Sequence, residues 1–273
     1  MIKILFPYES SGYAIPLADG KWAIVDMGCE RGLSFLSQMT NFNIDLKQIS
    51  LVALTHLHAD HVDIDGLVAL LKNSSCDFIC PKLCFDQIKL IDQESNDVSE
   101  LLQKSNRLTL VDDKFSMDCN GVAIKGVPTI HELHSEFILG ANFSYRINNC
   151  IISGDTPVHS LFKEDHCDYM MGNTGIPVEY LILNLAQLSV EDITSQDYVD
   201  EFRKNKYQAA HGILHDFLDV LGNELFKPFF IDLHTLIPTH IRRLEIKETY
   251  DLYVKEIQKK TAIHSYSFEI TSS

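Results

Sequence analysis

The sequence predicts an α/β protein in which two β-sheets lie sandwiched between helical layers. Short apolar, strand-like runs come in two batches, one before residue 56 and one from residue 108, and helical spacing follows each. The 273 residues, 45% of them hydrophobic, suffice for one large layered domain with a substantial core. No run of about 18 apolar residues interrupts the pattern, so no membrane-spanning segment is expected.

Residues 2–6, 13–17 and 22–26 are three short apolar runs separated by the turn-forming Glu9-Ser10-Ser11-Gly12 and Ala18-Asp19-Gly20. The first run is too short for a secretory signal and alternates like a first strand, which points to the cytoplasm. Residues 30–40 have helical spacing, and residues 51–55 form a short buried strand. Over residues 63–72 the apolar positions Ile64, Leu67, Val68 and Leu71 recur at helical intervals. Residues 82–105 are mixed, polar and helical in character, and we read them as an insertion within a single 1–273 domain, a lid or an extra helix pair. Strand signals return at 108–111, 122–127, 143–147, 150–153 and 180–184. A helix is expected over 214–225, a strand over 236–239, a helix over 250–259 and a last strand over 263–270.

The seven cysteines are odd in number and fit reduced thiols. Cys76, Cys80 and Cys84 recur every fourth residue, whereas structural zinc sites use tighter pairs, so core thiols are expected. With 23 basic and 38 acidic side chains the formal charge is −15, which gives nucleic acid no phosphate-tracking surface. The field favours a small ligand captured at a local positive centre.

That centre is legible in His56-Leu57-His58-Ala59-Asp60-His61, directly after the strand ending at Thr55. In an extended loop His56 and His58 can point the same way and clamp one ion, while Asp60 and His61 face a neighbouring one. Imidazole nitrogen and carboxylate oxygen are donors that zinc and similar ions accept.

This segment resembles the signature Thr-His-x-His-x-Asp-His of the metallo-β-lactamase superfamily, and the resemblance covers nearly the whole chain. It implies a four-layer αββα sandwich of two mixed β-sheets. It also implies that Asp26, in Ile24-Val25-Asp26-Met27-Gly28, supports the site without binding metal. Asp155, in Ser153-Gly154-Asp155-Thr156, would bridge two ions, and His240, after the 236–239 strand, would be the last ligand. The remaining histidine is His131 or His134, and His131 is favoured because it follows the 122–127 strand. One departure stands out: relatives place a glycine three residues after the last motif histidine, whereas Gly66 is five after His61. Asp63 and Asp65 then lie near the site, either orienting ligand histidines or favouring a helix N-terminus.

The resemblance implies two divalent metals, zinc being expected and manganese or iron the alternatives. His56, His58 and His131 would hold the first, Asp60, His61 and His240 the second. Water activated between such ions attacks a carbonyl or phosphoryl centre, and Asp60 would guide the proton. The C-terminal third resembles the phosphodiesterase branch that includes ribonuclease Z. There a histidine before a late helix assists the leaving group, and His211 maps to it, with His215 the alternative. The expected activity is hydrolysis of a phosphodiester in a small nucleotide-like molecule or RNA. The alternative is a carboxylic ester, lactone, thioester or β-lactam. An iron-loaded oxidoreductase and a non-catalytic binding protein fit the complete ligand set less well. Relatives of this fold often dimerise, so a homodimer is a further expectation.

Overall fold

The computed structural model describes residues 2–6, 10–30, 32–92, 98–119, 121–133, 136–172 and 177–185, with 216, 217, 219, 220, 223, 233, 235–239, 255, 264 and 265. Two mixed sheets emerge. The first runs in the order β1 (Lys3–Ile4), β2 (Gly12–Pro16), β3 (Trp22–Met27), β4 (Ile49–Ala53), β5 (Asp77–Pro81), β6 (Leu108–Val111). β1 to β3 pair antiparallel, and β3 to β6 pair parallel. The second sheet repeats that logic from β7 (Phe115–Cys119) through β8 (Val122–Leu133), β9 (Glu136–Ile147), β10 (Cys150–Ile152), β11 (Tyr180–Asn184) and β12 (Thr235–Thr239) to β13 (His264–Ser265). Its first four strands pair antiparallel and its last four parallel.

Strands that read as continuous apolar runs are buried on both faces. Ala23 and Val25 of β3, Leu51 and Ala53 of β4 and Ile79 of β5 meet Ile124, Phe143, Tyr145 and Ile152 of the facing sheet. Their alternating neighbours Ile24, Val52 and Phe78 face a helical layer instead. That layer comprises α1 (Phe35–Asn41), α2 (Ile64–Asn73), α3 (Lys82–Asp92) and α4 (Val98–Lys104), which contribute Phe35, Leu67, Leu70, Phe85 and Val98. On the far side α5 (Val158–Leu161) and α6 (Glu164–Met171) pack on β8, completing the four layers. Lys125 and Arg146, cross-strand partners in β8 and β9, hold the carboxyl end of α6. Lys125 Nζ donates to the Tyr169 and Gly172 carbonyls at 2.8 and 2.9 Å, and Arg146 Nη1 to the Met170 carbonyl at 2.6 Å.

Two strands depart from the sequence reading. β8 continues to Leu133, so His131 lies within a strand rather than in a loop after Val127. Pro128 and a register shift between Thr129 and Ile130 disguise the continuation. The proline is tolerated because β7 accompanies β8 only up to Gly126, leaving Pro128 on an open edge. There the Ile130 N–H donates to Ser160 Oγ of α5 at 3.0 Å. β7 escaped prediction as a half-exposed edge strand. Residues 82–92 and 98–104 are the helices that carry the chain from β5 to β6. Cys76, Cys80 and Cys84 are buried free thiols.

Candidate metal centre

Parallel strands present their carboxyl ends together, and ligands bind just beyond such ends. β3 and β4 are parallel neighbours, which brings Asp26 beside the segment after Ala53. The Thr55 backbone N–H and Oγ1–H both donate to the Asp26 carboxylate at 2.7 Å. On its other side Thr55 accepts the Phe143 N–H at 3.0 Å, so the loop is anchored to both sheets. Asp26 has φ +55°, a left-handed backbone that a non-glycine residue adopts only where its surroundings enforce it. The following turn is fixed by His61 N–H to the His58 carbonyl, Met27 N–H to the His61 carbonyl and Ser11 N–H to the Asp60 carbonyl, at 2.9, 2.8 and 2.8 Å. The Asp60 carbonyl lies so near Gly28 that only a residue without a side chain fits there.

Three imidazoles converge beyond this loop. His56 Nε2 lies 3.1 Å from His58 Nδ1, which lies 3.3 Å from His131 Nε2. Ring nitrogens bound to one zinc at about 2.0–2.1 Å in a tetrahedron stand about 3.3–3.4 Å apart, so the spacing suits a single cation. His56 and His131 are buried while His58 is exposed, leaving this seat open on one side. A second cluster joins His56 to His61 and Asp155, all buried, with donor atoms again within 4.8 Å of one another. His61 Nε2 is 3.2 Å from Asp155 Oδ2, and its Nδ1 is 2.8 Å from Asp26 Oδ2. Asp26 therefore holds the far side of the His61 ring, and reaches His56 only through Thr55.

Asp155 follows β10. Gly154, with φ +60°, turns the chain where a Cβ would meet Asn142 Oδ1 at 2.4 Å, and the Asp155 N–H donates to that oxygen at 3.2 Å. Asn142 also donates to the Ser153 carbonyl at 3.0 Å and to Thr129 Oγ1 at 2.7 Å.

The electrostatics separate the histidines. Burial, helped by the neighbouring His61 and His131, holds the His56 pKa well below the ordinary histidine value. Burial also opposes charge on His61, but the Asp155 and Asp26 carboxylates on either side outweigh it and raise its pKa well above that value. One imidazole is poised as a neutral ligand. The other is biased toward its charged form by the two carboxylates beside it.

The structure thus brings together His56, His58, His61, His131, Asp155 and Asp26. Asp60 lies at the rim, its carboxylate 3.9 Å from His61 Nε2 and its side chain 37% exposed. His134, His211, His215 and His240 lie outside the described residues. Asp63 caps α2 instead of orienting a histidine. Its carboxylate accepts the Gly66 N–H at 3.2 Å and the Phe35 N–H at 3.0 Å. Gly66 sits where α2 meets α1, and a Cβ there would press on Phe35 at 3.0 Å, so that side chain would have to give. Sequence reasoning missed Thr55, Asn142 and Asn184, whose signal was a polar residue inside or ending an apolar run.

Fold and cluster together define a helix-flanked two-sheet protein with a histidine- and aspartate-lined seat suited to divalent cations. A model of the β-lactamase superfamily domain matches residues 21–175, more than half of the chain. The chain belongs to the metallo-β-lactamase superfamily. Its fold is similar to that of the metallo-β-lactamase fold protein YhfI from Bacillus subtilis, with TM-score 0.61, 12% identity and coverage of 97% of this chain and 94% of that one. It is likewise similar to human tRNase Z, short form, with TM-score 0.54, 14% identity and coverage of 89% and 93%. CmlA, a diiron β-hydroxylase from Streptomyces venezuelae, gives TM-score 0.56 at 12% identity, with 97% of this chain covering 52% of that one. A search of curated protein sequences finds no match. Among the described residues no helix is long and apolar enough to cross a membrane.

Proposed function

We propose that the protein is a two-metal hydrolase whose substrate is a phosphodiester in a small, nucleotide-like molecule. The carrying observation is the pair of overlapping donor clusters, His56/His58/His131 and His56/His61/Asp155, each small enough for one cation. In this reading His56, His58 and His131 hold the first ion. His61 and Asp155, with Asp60 and His240, hold the second. Such ions lower the pKa of water and stabilise negative charge on the attacked group.

The chain's own residues supply the rest. Asp26 and Thr55 hold the His61 and His56 rings from behind, so these two rings are oriented before any ion binds. Asp60, at the exposed rim, takes up the proton released from water, and His211 returns one to the leaving oxygen. The fold shared with human tRNase Z supports a phosphodiester, and the −15 charge supports a small substrate over a long polyanion.

The test is metal content by elemental analysis together with turnover of a p-nitrophenyl phosphodiester, a lactone and a thioester by wild type and Asp155→Ala. Two divalent ions per chain and phosphodiester turnover abolished by Asp155→Ala are expected. Lactone or thioester turnover alone replaces the substrate class, and a folded wild type free of metal removes the hydrolase.

A further inference from the structure

We propose that Asn184 is a positioning residue for Asp155, restricting that carboxylate to one metal-facing oxygen. The proposal rests on the two-metal reading above. Asn184 is 1% exposed at the end of β11, between β10, which leads to Asp155, and β12, which ends at Thr239. Its Nδ2 donates to Asp155 Oδ1 at 2.7 Å and to Ser11 Oγ at 2.8 Å. Its Oδ1 accepts from Tyr13 OH at 2.6 Å and from Thr239 Oγ1 at 2.7 Å. All four hydrogen-bonding positions of the amide are thereby used.

The amide's orientation follows from its partners. Reversed, its carbonyl would face the Asp155 carboxylate at hydrogen-bonding distance, acceptor against acceptor, in a buried site. Tyr13 is wholly buried, and burial raises its pKa, so its hydroxyl remains a donor that pins the carbonyl end. With Oδ1 committed to the amide, Asp155 turns Oδ2 toward His61 Nε2, 3.2 Å away. A carboxylate held this way cannot rotate to present both oxygens to one ion. The same amide gathers β2 of the first sheet and β11 and β12 of the second around the ligand. It also fixes Thr239, the residue before His240.

The experiment is competition between the protein and a chromophoric chelator for zinc, resolving the two equivalents, in wild type, Asn184→Asp and Tyr13→Phe, with thermal unfolding followed by circular dichroism. Loss of a partner behind a metal ligand costs about 10–100-fold in affinity. Asn184→Asp, which sets a second carboxylate oxygen against Asp155, is expected to weaken one zinc equivalent, that on His61 and Asp155, by about that factor. The zinc on His56, His58 and His131 should change by less than about threefold, being held by other residues. Tyr13→Phe keeps the packing and removes one donor to the amide, so a smaller loss at the same equivalent is expected. It decides the matter alone if Asn184→Asp does not fold. Folded variants that bind both equivalents like wild type, or weaken both equally, reduce Asn184 to a structural residue and overturn the proposal. A wild type that binds no zinc overturns the two-metal reading and this proposal together.

Discussion

Gly28 lies against the Asp60 carbonyl so closely that a Cβ on Gly28 would stand 1.9 Å from that oxygen. Both are backbone positions, so no side-chain movement relieves the clash. Gly28→Ala must push the 56–61 loop off the β2–β3 hairpin and break the Ser11 N–H to Asp60 carbonyl bond. We expect a loss of about 3 kcal/mol in stability, the upper end for overpacking, with zinc binding weakened as well. Urea denaturation checks this, and a midpoint within experimental error of wild type contradicts it.

Thr55→Val removes one hydroxyl and keeps the side-chain shape. Asp26 retains the Thr55 backbone N–H and the His61 ring but loses a buried donor at 2.7 Å. Leaving a buried carboxylate short of a partner costs about 1.5–3 kcal/mol. The denaturant midpoint should fall accordingly while the circular dichroism spectrum stays unchanged.

His131 and His134 make a decisive pair. His131 Nε2 is 3.3 Å from His58 Nδ1, so His131→Ala should remove one of three nitrogens from the first seat. Expected is a loss of tight zinc binding there, read by elemental analysis after dialysis. His134→Ala should keep it. The opposite outcome exchanges the two assignments.

Metal affinity should depend on pH through His61. Burial works against its charge, yet Asp155 and Asp26 raise its pKa well above 6.5, so a cation reaching its Nε2 must displace a proton. The protonated form competes with metal. Apparent affinity therefore rises with pH and goes on rising above the ordinary histidine range until the raised pKa is passed. Chelator competition from about pH 6 to 9 reads the slope. An affinity already constant at neutral pH contradicts the proposed role of His61.

The 56–61 segment was readable as a candidate site because its donors are local: four donor-type residues within six positions need no knowledge of pairing. Asp155 and Asp26 were singled out by the resemblance, Asp26 near the end of β3 and Asp155 just beyond β10. The Asn184 contacts were not, since Ser11 and Tyr13 lie 173 and 171 positions away and meet the amide only when the second sheet closes over the first. β8 was cut short for a local reason, Pro128, whose tolerance depends on where β7 stops. For Asp63 the sequence left two roles open, and its carboxylate takes the second of them, capping the start of α2.

Thr55 holds Asp26 through its N–H and hydroxyl while its carbonyl receives the N–H of Phe143 from the opposite sheet. One residue thus ties the opposite sheet to the floor of the ligand cup, beside the Tyr145 and Tyr13 hydroxyls that also cross between the sheets. Any breathing that slides one half of the protein past the other must tilt the cup as it goes. Hydrogen exchange at the Phe143 amide and escape of a seated ion would then keep the same clock.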